Sequence, residues 1–224
     1  MKNLTATVRY LGALLLSTQR WAPPAIILVG LIAWIWATPP LGIDTVRVIL
    51  PVLFALASWV GHVLRTIEDA GEQQISVSCL GSATRLMLTE WALATVLAAV
   101  VPALLVTGIA CYGLAVPTQA VFSGAQTLAS LLAIVCVAST GSALGTVTAL
   151  AVPSRPGWAA GLLILIGLLQ ASPWLAPTSQ LANALPVAKG ALGLDLLLGI
   201  GLAVVITGGL LFTVGRLCRW IGIR

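Results

Sequence analysis

The 224-residue chain is 59% hydrophobic and 8% charged, whereas a soluble domain carries about 25% charged residues to keep its surface in water. This composition excludes an ordinary soluble domain and indicates that lipid is the main solvent. The net charge is +5, but Lys and Arg occur singly between apolar runs, which argues against a nucleic-acid-binding surface. The apolar runs repeat along the whole chain, so the sequence predicts one all-α membrane domain covering residues 1–224.

The first 20 residues have the pattern of an amphipathic helix. Apolar residues recur at helical spacing, and basic residues fall nearly on one line around the helix: Leu4, Val8, Leu11 and Leu15 against Lys2, Arg9 and Arg20. This favours an interfacial helix over residues 1–20 on the cytoplasmic leaflet. The alternative is that residues 11–16 extend the first span inward. Pro23 and Pro24 favour the first reading, because they mark a break between the two segments.

Six apolar stretches are long enough, or nearly so, to cross the membrane. A helix needs about 20 apolar residues to cross roughly 30 Å of hydrocarbon with all its amides bonded internally. The stretches cover residues 22–38, 46–64, 86–112, 125–152, 158–175 and 191–215, and turn-forming Pro and Gly separate them. The predicted fold is therefore a polytopic all-α protein with six transmembrane helices.

The basic residues set the expected orientation, because Lys and Arg in short loops stay on the cytoplasmic side. With the N-terminus inside, nine basic residues are cytoplasmic and two are external: Lys2, Arg9, Arg20, Arg65, Arg85, Arg155, Arg216, Arg219 and Arg224, against Arg47 and Lys189. Asp44 and Asp195 lie near the two exceptions and offer them partners. The sequence predicts that the chain spans a bacterial cytoplasmic (inner) membrane and that both of its termini lie in the cytoplasm.

Catalytic and metal-binding motifs are absent from the sequence. It contains no G-x-x-x-x-G-K-[ST], HExxH or GxSxG motif with suitable partners. The four cysteines are far apart and have no nearby His, so they predict free thiols rather than a metal site or a disulfide framework: Cys79, Cys111, Cys136 and Cys218. We expect no enzymatic activity and no bound cofactor.

The middles of the six predicted spans contain no ionisable residue, which argues against a proton-driven carrier because such a carrier needs a titratable relay. For a chain that transports a substrate, the same absence favours an apolar or amphiphilic cargo. His62 and Glu90 come nearest to a span centre. We expect His62 to anchor the helix at the interface rather than to act as a gate. For Glu90 three roles remain open: pairing with an arginine of the N-terminal helix, pairing with Arg85, or contacting a partner protein.

One strongly polar segment, residues 65–85, separates the second and third spans. A plain connector between antiparallel helices needs only about 2 to 8 residues. Gly71 and Gly81 bracket nine residues, enough for a helix of about 14 Å. We expect Ile75, Cys79 and Leu80 to give this helix an apolar side, and Ser82 to cap the third span.

The segment resembles the corresponding part of the ABC-2 type permease family, the membrane subunits of one class of ABC exporter. The resemblance is carried by acidic residues and a glycine after the second span, then a leucine, a small-residue turn and a basic residue: Glu68, Asp69, Gly71, Leu80 and Arg85. The chain departs from the family pattern at Gly81-Ser82, where a proline is frequent, and at Glu90, where a basic residue is common. Family members have six spans, both ends inside and an N-terminal amphipathic helix.

The resemblance implies that residues 66–85 hold a cytoplasmic coupling helix that docks on a separate ATPase. The implied docking residues are Glu68, Asp69, Glu72, Gln73, Gln74, Ile75, Ser76, Val77, Leu80 and Arg85, with His62 and Glu90 as candidate gate or polar contacts. It also implies an external re-entrant segment over 171–190, two ATPase copies that hold ATP and Mg, and a second permease subunit, identical or homologous. The alternatives are an ATPase-independent carrier or channel, a membrane enzyme acting on lipid, and a helper or immunity subunit.

Overall fold

The computed structural model describes residues 2–37, 42–115, 122–151, 181, 185 and 194–220. Within these residues it contains seven helices: α1 Lys2–Ser17, α2 Ala22–Ala37, α3 Ile43–Thr66, α4 Ala70–Leu80, α5 Ala83–Ala115, α6 Gly124–Ala151 and α7 Leu194–Trp220. The described part is therefore all-α, as predicted. The predicted fifth span, 158–175, lies outside the described residues, and so does the re-entrant segment, 171–190, except for Leu181 and Leu185.

Four helices have the length and apolar composition of a membrane span: Ile43–Thr66, Ala83–Tyr112, Gly124–Leu150 and Leu196–Arg216. They correspond to the predicted second, third, fourth and sixth spans. The predicted first span is α2, which has 16 residues and is shorter than the roughly 20 that a full crossing requires. The chain thus has the long apolar helices of a multi-pass membrane protein.

The break between α1 and α2 is a sharp turn of 81°. Gln19 adopts a left-handed backbone conformation with φ 55°, and the indole Nε1 of Trp21 donates to Leu16 O at 3.2 Å. Pro23 and Pro24 lie in the first turn of α2, where proline is tolerated because those amides have no partner within the helix. The predicted break is confirmed. Arg20 lies in the turn rather than on the helix, so it does not extend the basic line of α1.

Not all of the apolar residues that repeat along α1 at helical spacing are buried. Leu11 and Leu15 are buried and belong to a small core with Val63, Leu64 and Ile67, at the end of α3. Leu4, by contrast, is about half exposed. Helix α1 therefore packs against the end of α3 through Leu11 and Leu15, and Thr7 in its first half is buried as well.

Helices α3 and α6 run in the same direction at the centre of the bundle. Gly141 lies against Phe54 and Gly145 against Ser58, so residue numbers rise together along the two helices. A Cβ atom at Gly141 would lie 2.7 Å from Phe54 O, and one at Gly145 would overlap the backbone of Ser58. The backbones of α3 and α6 therefore approach closely at Gly141 and Gly145, since only glycine permits backbones this close.

Helices α5 and α7 both pack against α6. The Oγ1 atoms of Thr140 and Thr207 lie 3.0 Å apart, and Val147 packs near Val214, so α7 runs parallel to α6. The Nε1 atom of Trp91 donates to Ser139 O at 3.1 Å. Met87 packs near the same Val147, so numbers fall along α5 as they rise along α6. Helix α5 is therefore antiparallel to α3, α6 and α7.

Unlike a soluble protein, the bundle is apolar on its outside as well as in its core. Large apolar side chains cover the outside of the spans: Val96, Leu97, Val100, Leu104, Leu128, Leu132, Val135, Leu197, Leu198, Val204, Val205 and Phe212. Polar side chains lie inside: Ser58, His62, Arg65, Thr89, Glu90, Ser130, Thr140, Ser142, Thr146, Thr148 and Thr207. Such an apolar surface suits a lipid environment and would be an aggregation hazard in water.

Three arginines lie at one end of the bundle, and an arginine paired with an aspartate lies at the other. Arg65 is near the end of α3, Arg85 near the start of α5 and Arg216 near the end of α7, so the helix directions bring all three to one end. Arg47 lies at the opposite end, where its Nη1 contacts Asp44 Oδ1 at 2.9 Å. The predicted Asp44 and Arg47 pair is confirmed, and the Lys189 and Asp195 pair lies outside the described side chains.

Candidate functional site

The polar segment between the second and third spans folds into the predicted short helix, α4. At its start, the Asp69 amide donates to Glu72 Oε2 at 3.2 Å, half of a capping box that satisfies an otherwise free backbone donor. At its end, Gly81 takes the left-handed φ of 79°, and its amide donates to Val77 O at 2.8 Å. Glycine fits this position because it has no Cβ. Local sequence therefore fixes both ends of α4.

The turn from α4 into α5 is closed by Ser82. Its Oγ accepts a hydrogen bond from the Arg85 amide at 3.2 Å, and its backbone oxygen accepts from the Leu86 amide at 3.2 Å. The predicted cap on the third span is confirmed. Because Gly81 and Ser82 are the only residues between the two helices, a displacement of α4 acts directly on the start of α5.

The inner face of α4 is held against the end of α3 by hydrogen bonds. Gln73 Nε2 donates to Arg65 O at 3.2 Å and to Glu68 O at 3.4 Å. Ser76 Oγ donates to Glu68 Oε1 at 2.7 Å. Leu80 is buried one turn further along. Side-chain hydrogen bonds therefore tie α4 to the end of α3 and to the short link that follows it.

The side chain of Arg65 crosses to α5 and pairs with Glu90. Its Nη1 lies 3.3 Å from Oε1 and 3.1 Å from Oε2, and the two side chains are 5% and 0% exposed. The sequence left Glu90 with three candidate roles, and Arg65 was not among the partners considered. Helical spacing did not reveal the pair, because its members lie on different helices 25 residues apart.

We call Arg65, Glu68, Gln73, Ser76 and Glu90 the polar junction. It joins the end of α3, the inner face of α4 and the second turn of α5 through the side-chain contacts above. Removing ions from water costs several kcal/mol each, and only close pairing compensates. The junction is therefore a rigid connection that resists separation of these three helices.

Glu68 is the electrostatically unusual member of the junction. Its side chain is buried, being 5% exposed, and Oε2 has no hydrogen-bond partner within the described part of the chain. Burial raises the pKa of Glu68 above its ordinary value, and the negative charge of Glu72 adds to the rise. The Ser76 hydrogen bond and the positive charge of Arg65 lower the pKa but do not cancel the rise. Burial in the folded protein therefore disfavours the charged form of the Glu68 side chain.

The outer face of α4 is open to solvent and mixes charge with one large apolar side chain. Its exposed residues are Gly71, Glu72, Gln74, Ile75, Ser78 and Cys79, with Asp69 exposed just before the helix and Val77 half-buried at its edge. Ile75 is 66% exposed. The predicted apolar side is therefore split: Leu80 faces inward, whereas Ile75 and Cys79 face outward. Ser76 takes the inner position because it bonds Glu68.

His62 does not lie at the protein surface, so its predicted role as an interfacial anchor is wrong. It is buried between α3 and α6, with Nδ1 3.5 Å from Thr148 Oγ1. Gly145 lies against the His62 backbone, and this close approach leaves the ring inside the bundle. The nearby Trp59 instead reaches the α1 to α2 turn, where its Nε1 donates to Arg20 O at 3.4 Å.

The described residues include no group of three or more His, Cys, Asp or Glu side chains arranged to hold a metal ion. Cys79, Cys111 and Cys136 are free thiols. An exposed helical surface is linked through buried hydrogen bonds and one ion pair to two long helices. It can pass a force applied at α4 into α3 and α5.

Comparison of the chain with protein-family models, with curated proteins and with solved structures found no match. The fold and the polar junction therefore carry the functional argument.

Proposed function

We propose that this chain is the membrane subunit of an ABC-2 type exporter, driven by a separate ATPase that docks on α4. The polar junction is the observation that carries the proposal. It ties a solvent-exposed helix to the ends of two spans through Gln73, Ser76 and the buried Arg65 to Glu90 pair. A loop that only connected two spans would need neither capped ends nor buried partners.

The outer face of α4 supplies the docking surface. Ile75 is exposed among polar neighbours, and an apolar side chain within a polar rim is the usual composition of a protein interface. The acidic residues at the helix start, Asp69 and Glu72, give the surface a charge that a basic groove on the ATPase would complement. In this proposal Gln73 and Ser76 do not touch the ATPase; they transmit its movement.

The proposed topology has six spans with both termini in the cytoplasm of a bacterial inner membrane. It is supported by the collection of Arg65, Arg85 and Arg216 at one end of the bundle, since basic residues mark the cytoplasmic side. Helices α6 and α7 run in the same direction, and two parallel helices joined in sequence need a return crossing between them. We assign that crossing to the predicted span at 158–175.

The working unit in this proposal is a pair of membrane subunits, identical or homologous, with two ATPase copies that hold ATP and Mg. The cargo is apolar or amphiphilic, of the drug, peptide or lipid class. The charged residues buried in the described spans support this choice. Arg65 and Glu90 neutralise each other and so leave no net charge to balance an ionic cargo.

The test is co-expression and reconstitution of the chain with a P-loop ATPase whose gene adjoins its own. We expect the ATPase to co-purify with the wild-type chain, and Ile75→Glu to abolish the complex, because a charge at the centre of an apolar contact is left unpaired. Asp44→Asn alters an exposed carboxylate at the other end of the bundle and serves as the matched control. Thermal unfolding in detergent should stay close to that of the wild type for both variants, since each substitution alters an exposed side chain.

A second variant separates docking from transmission. The double substitution Gln73→Ala with Ser76→Ala should keep the ATPase bound but lower ATP-dependent transport, because the force no longer reaches α3. The proposal fails if no P-loop ATPase binds the wild-type chain. It also fails if liposomes holding the chain alone move cargo at the same rate without ATP, which would identify a carrier or channel. Binding to another membrane protein without transport would identify a helper subunit.

A further inference from the structure

A groove with a volume of about 930 Å³ lies between α1, α4 and α5. Its walls are mainly apolar, and Arg85 and Thr89 are the polar residues among them. The lining consists of Leu4, Val8, Cys79, Leu80, Arg85, Leu88, Thr89, Ala92, Leu93 and Val96. The volume falls within the range of pockets that bind small organic ligands, about 300 to 1,000 Å³.

The groove has the length of one membrane leaflet. Arg85 and Val96 are 11 residues apart on α5, which corresponds to about 16 Å along a helix. This is about half of the 30 Å hydrocarbon thickness of a bilayer. Leu88, Ala92 and Val96 follow one another at four-residue spacing, so they form a continuous apolar strip that begins one turn beyond Arg85.

Arg85 places a positive charge at one end of the groove. Its Nη1 donates to Leu80 O at 3.2 Å, and within the described residues this is the hydrogen bond that its guanidinium makes. An arginine has five N–H donors, so donors remain to hold a phosphate, whose oxygens match the guanidinium fork. Glu72, the acidic residue of α4, is engaged at the other end of that helix.

We propose that the groove is a binding site for an anionic phospholipid of the cytoplasmic leaflet. One acyl chain lies along Leu88, Ala92 and Val96, and the phosphate binds Arg85. The charge of Arg85 and the apolar strip, which has the length of one leaflet, together favour this ligand over a soluble anion. A soluble anion has no acyl chain to pack against the strip. Because α1 and α4 both border the groove, the bound lipid fills the space between the N-terminal helix and the proposed docking helix.

The test is native mass spectrometry of the full chain in detergent, titrated with phosphatidylglycerol and, separately, with phosphatidylcholine. We expect phosphatidylglycerol to bind the wild-type chain about fivefold more tightly, the effect of a single basic residue on an anionic headgroup. Arg85→Gln should remove this preference and leave phosphatidylcholine binding unchanged. Arg216→Gln is the matched control, since Arg216 is an exposed arginine at the same end of the bundle but outside the groove.

A second pair of variants tests the apolar strip. Ala92→Trp should fill the groove and weaken binding of both lipids. Leu198→Trp, on the exposed face of α7, should weaken neither. The proposal is overturned if the wild-type chain shows no preference for phosphatidylglycerol, if Arg216→Gln lowers the preference as much as Arg85→Gln, or if glycerol phosphate displaces the lipid at equal concentration. These outcomes are independent of ATPase binding, so they do not bear on the proposed function.

Discussion

Gln73 donates a hydrogen bond to the backbone oxygen of Arg65 at 3.2 Å, and the side chain of the same Arg65 is held by Glu90. One residue of α3 is thus bonded through its backbone to α4 and through its side chain to α5. A shift of α4 cannot leave the ion pair undisturbed. The free energy lost when the Arg65 to Glu90 pair is removed therefore measures how much the polar junction stabilises the protein.

Removal of Glu90 should be strongly destabilising. Glu90→Ala leaves Arg65 buried without its counter-charge, and we expect a loss of about 3 to 5 kcal/mol in the free energy of unfolding. Chemical denaturation in detergent micelles measures it. Asp44→Asn breaks an ion pair whose aspartate is 86% exposed, and we expect a loss of at most about 1 kcal/mol. Equal losses for the two variants would show that the Arg65 to Glu90 pair is not buried.

A methyl group at Gly145 should separate α3 and α6. The Cβ atom of Gly145→Ala would overlap the Ser58 backbone, which cannot move without shifting the helix, and we expect a loss of about 1 to 3 kcal/mol. Gly208→Ala on α7 is the control, because nothing lies within 4 Å of its Cβ position. There the better helix propensity of alanine should leave stability unchanged or raise it by up to about 1 kcal/mol. Thermal unfolding monitored by circular dichroism distinguishes the two.

Stability should depend on pH through Glu68. Burial raises the pKa of Glu68 in the folded state, so the folded protein binds this proton more tightly than the unfolded chain, whose glutamates titrate near pH 4.3. The cost of the charged form is fully present above the raised pKa. It disappears as the pH falls from that value to about 4.3. The protein should therefore gain stability through this group on mild acidification.

The E68Q variant removes this titration while keeping an oxygen that accepts the Ser76 hydrogen bond. Its unfolding temperature, measured from pH 8 to pH 4.5, should exceed that of the wild type at the upper end and converge with it at the lower end. Ser76→Ala should move the wild-type transition to higher pH, because the Ser76 hydrogen bond lowers the pKa of Glu68. Parallel profiles for E68Q and the wild type would contradict the assignment.

The Thr140 to Thr207 contact should contribute modestly to the packing of α7. A double-mutant cycle with Thr140→Val and Thr207→Val should give a coupling energy of about 0.6 kcal/mol, the average for hydrogen bonds between membrane helices. Thr213 is the control, since its Oγ1 bonds Leu210 O within α7. A cycle of Thr140→Val with Thr213→Val should show no coupling.

Much of the fold could be predicted from local patterns. The start of α2 at its two prolines, the end of α4 at Gly81 and the cap at Ser82 all depend on neighbouring residues, so the sequence contains the information needed to place them. Gly141 and Gly145 stand four positions apart, a small-residue spacing typical of close helix contacts. The partner helix, α3, could not be predicted, because a glycine pattern does not say which helix approaches it.

The buried polar residues show where sequence reasoning failed. His62 was expected at the interface because it lies near a span end, yet it is turned toward α6. Glu90 was expected to meet an arginine of α1, Arg85 or a partner protein, yet it meets Arg65. In each case the sequence indicated how deep in the membrane the residue lies. Packing between helices decided which way its side chain points around the helix axis.

The sequence by itself determined that this protein contains several long apolar helices, with one short polar helix between two of them. These properties follow from hydropathy, turn residues and caps, each of which acts within a few residues. Only the tertiary structure decided that Arg65 pairs with Glu90, that α4 turns Ser76 inward and Ile75 outward, and that α1, α4 and α5 enclose a groove. Those outcomes depend on the rotation and offset of whole helices, which packing between distant parts of the chain sets and no local pattern contains.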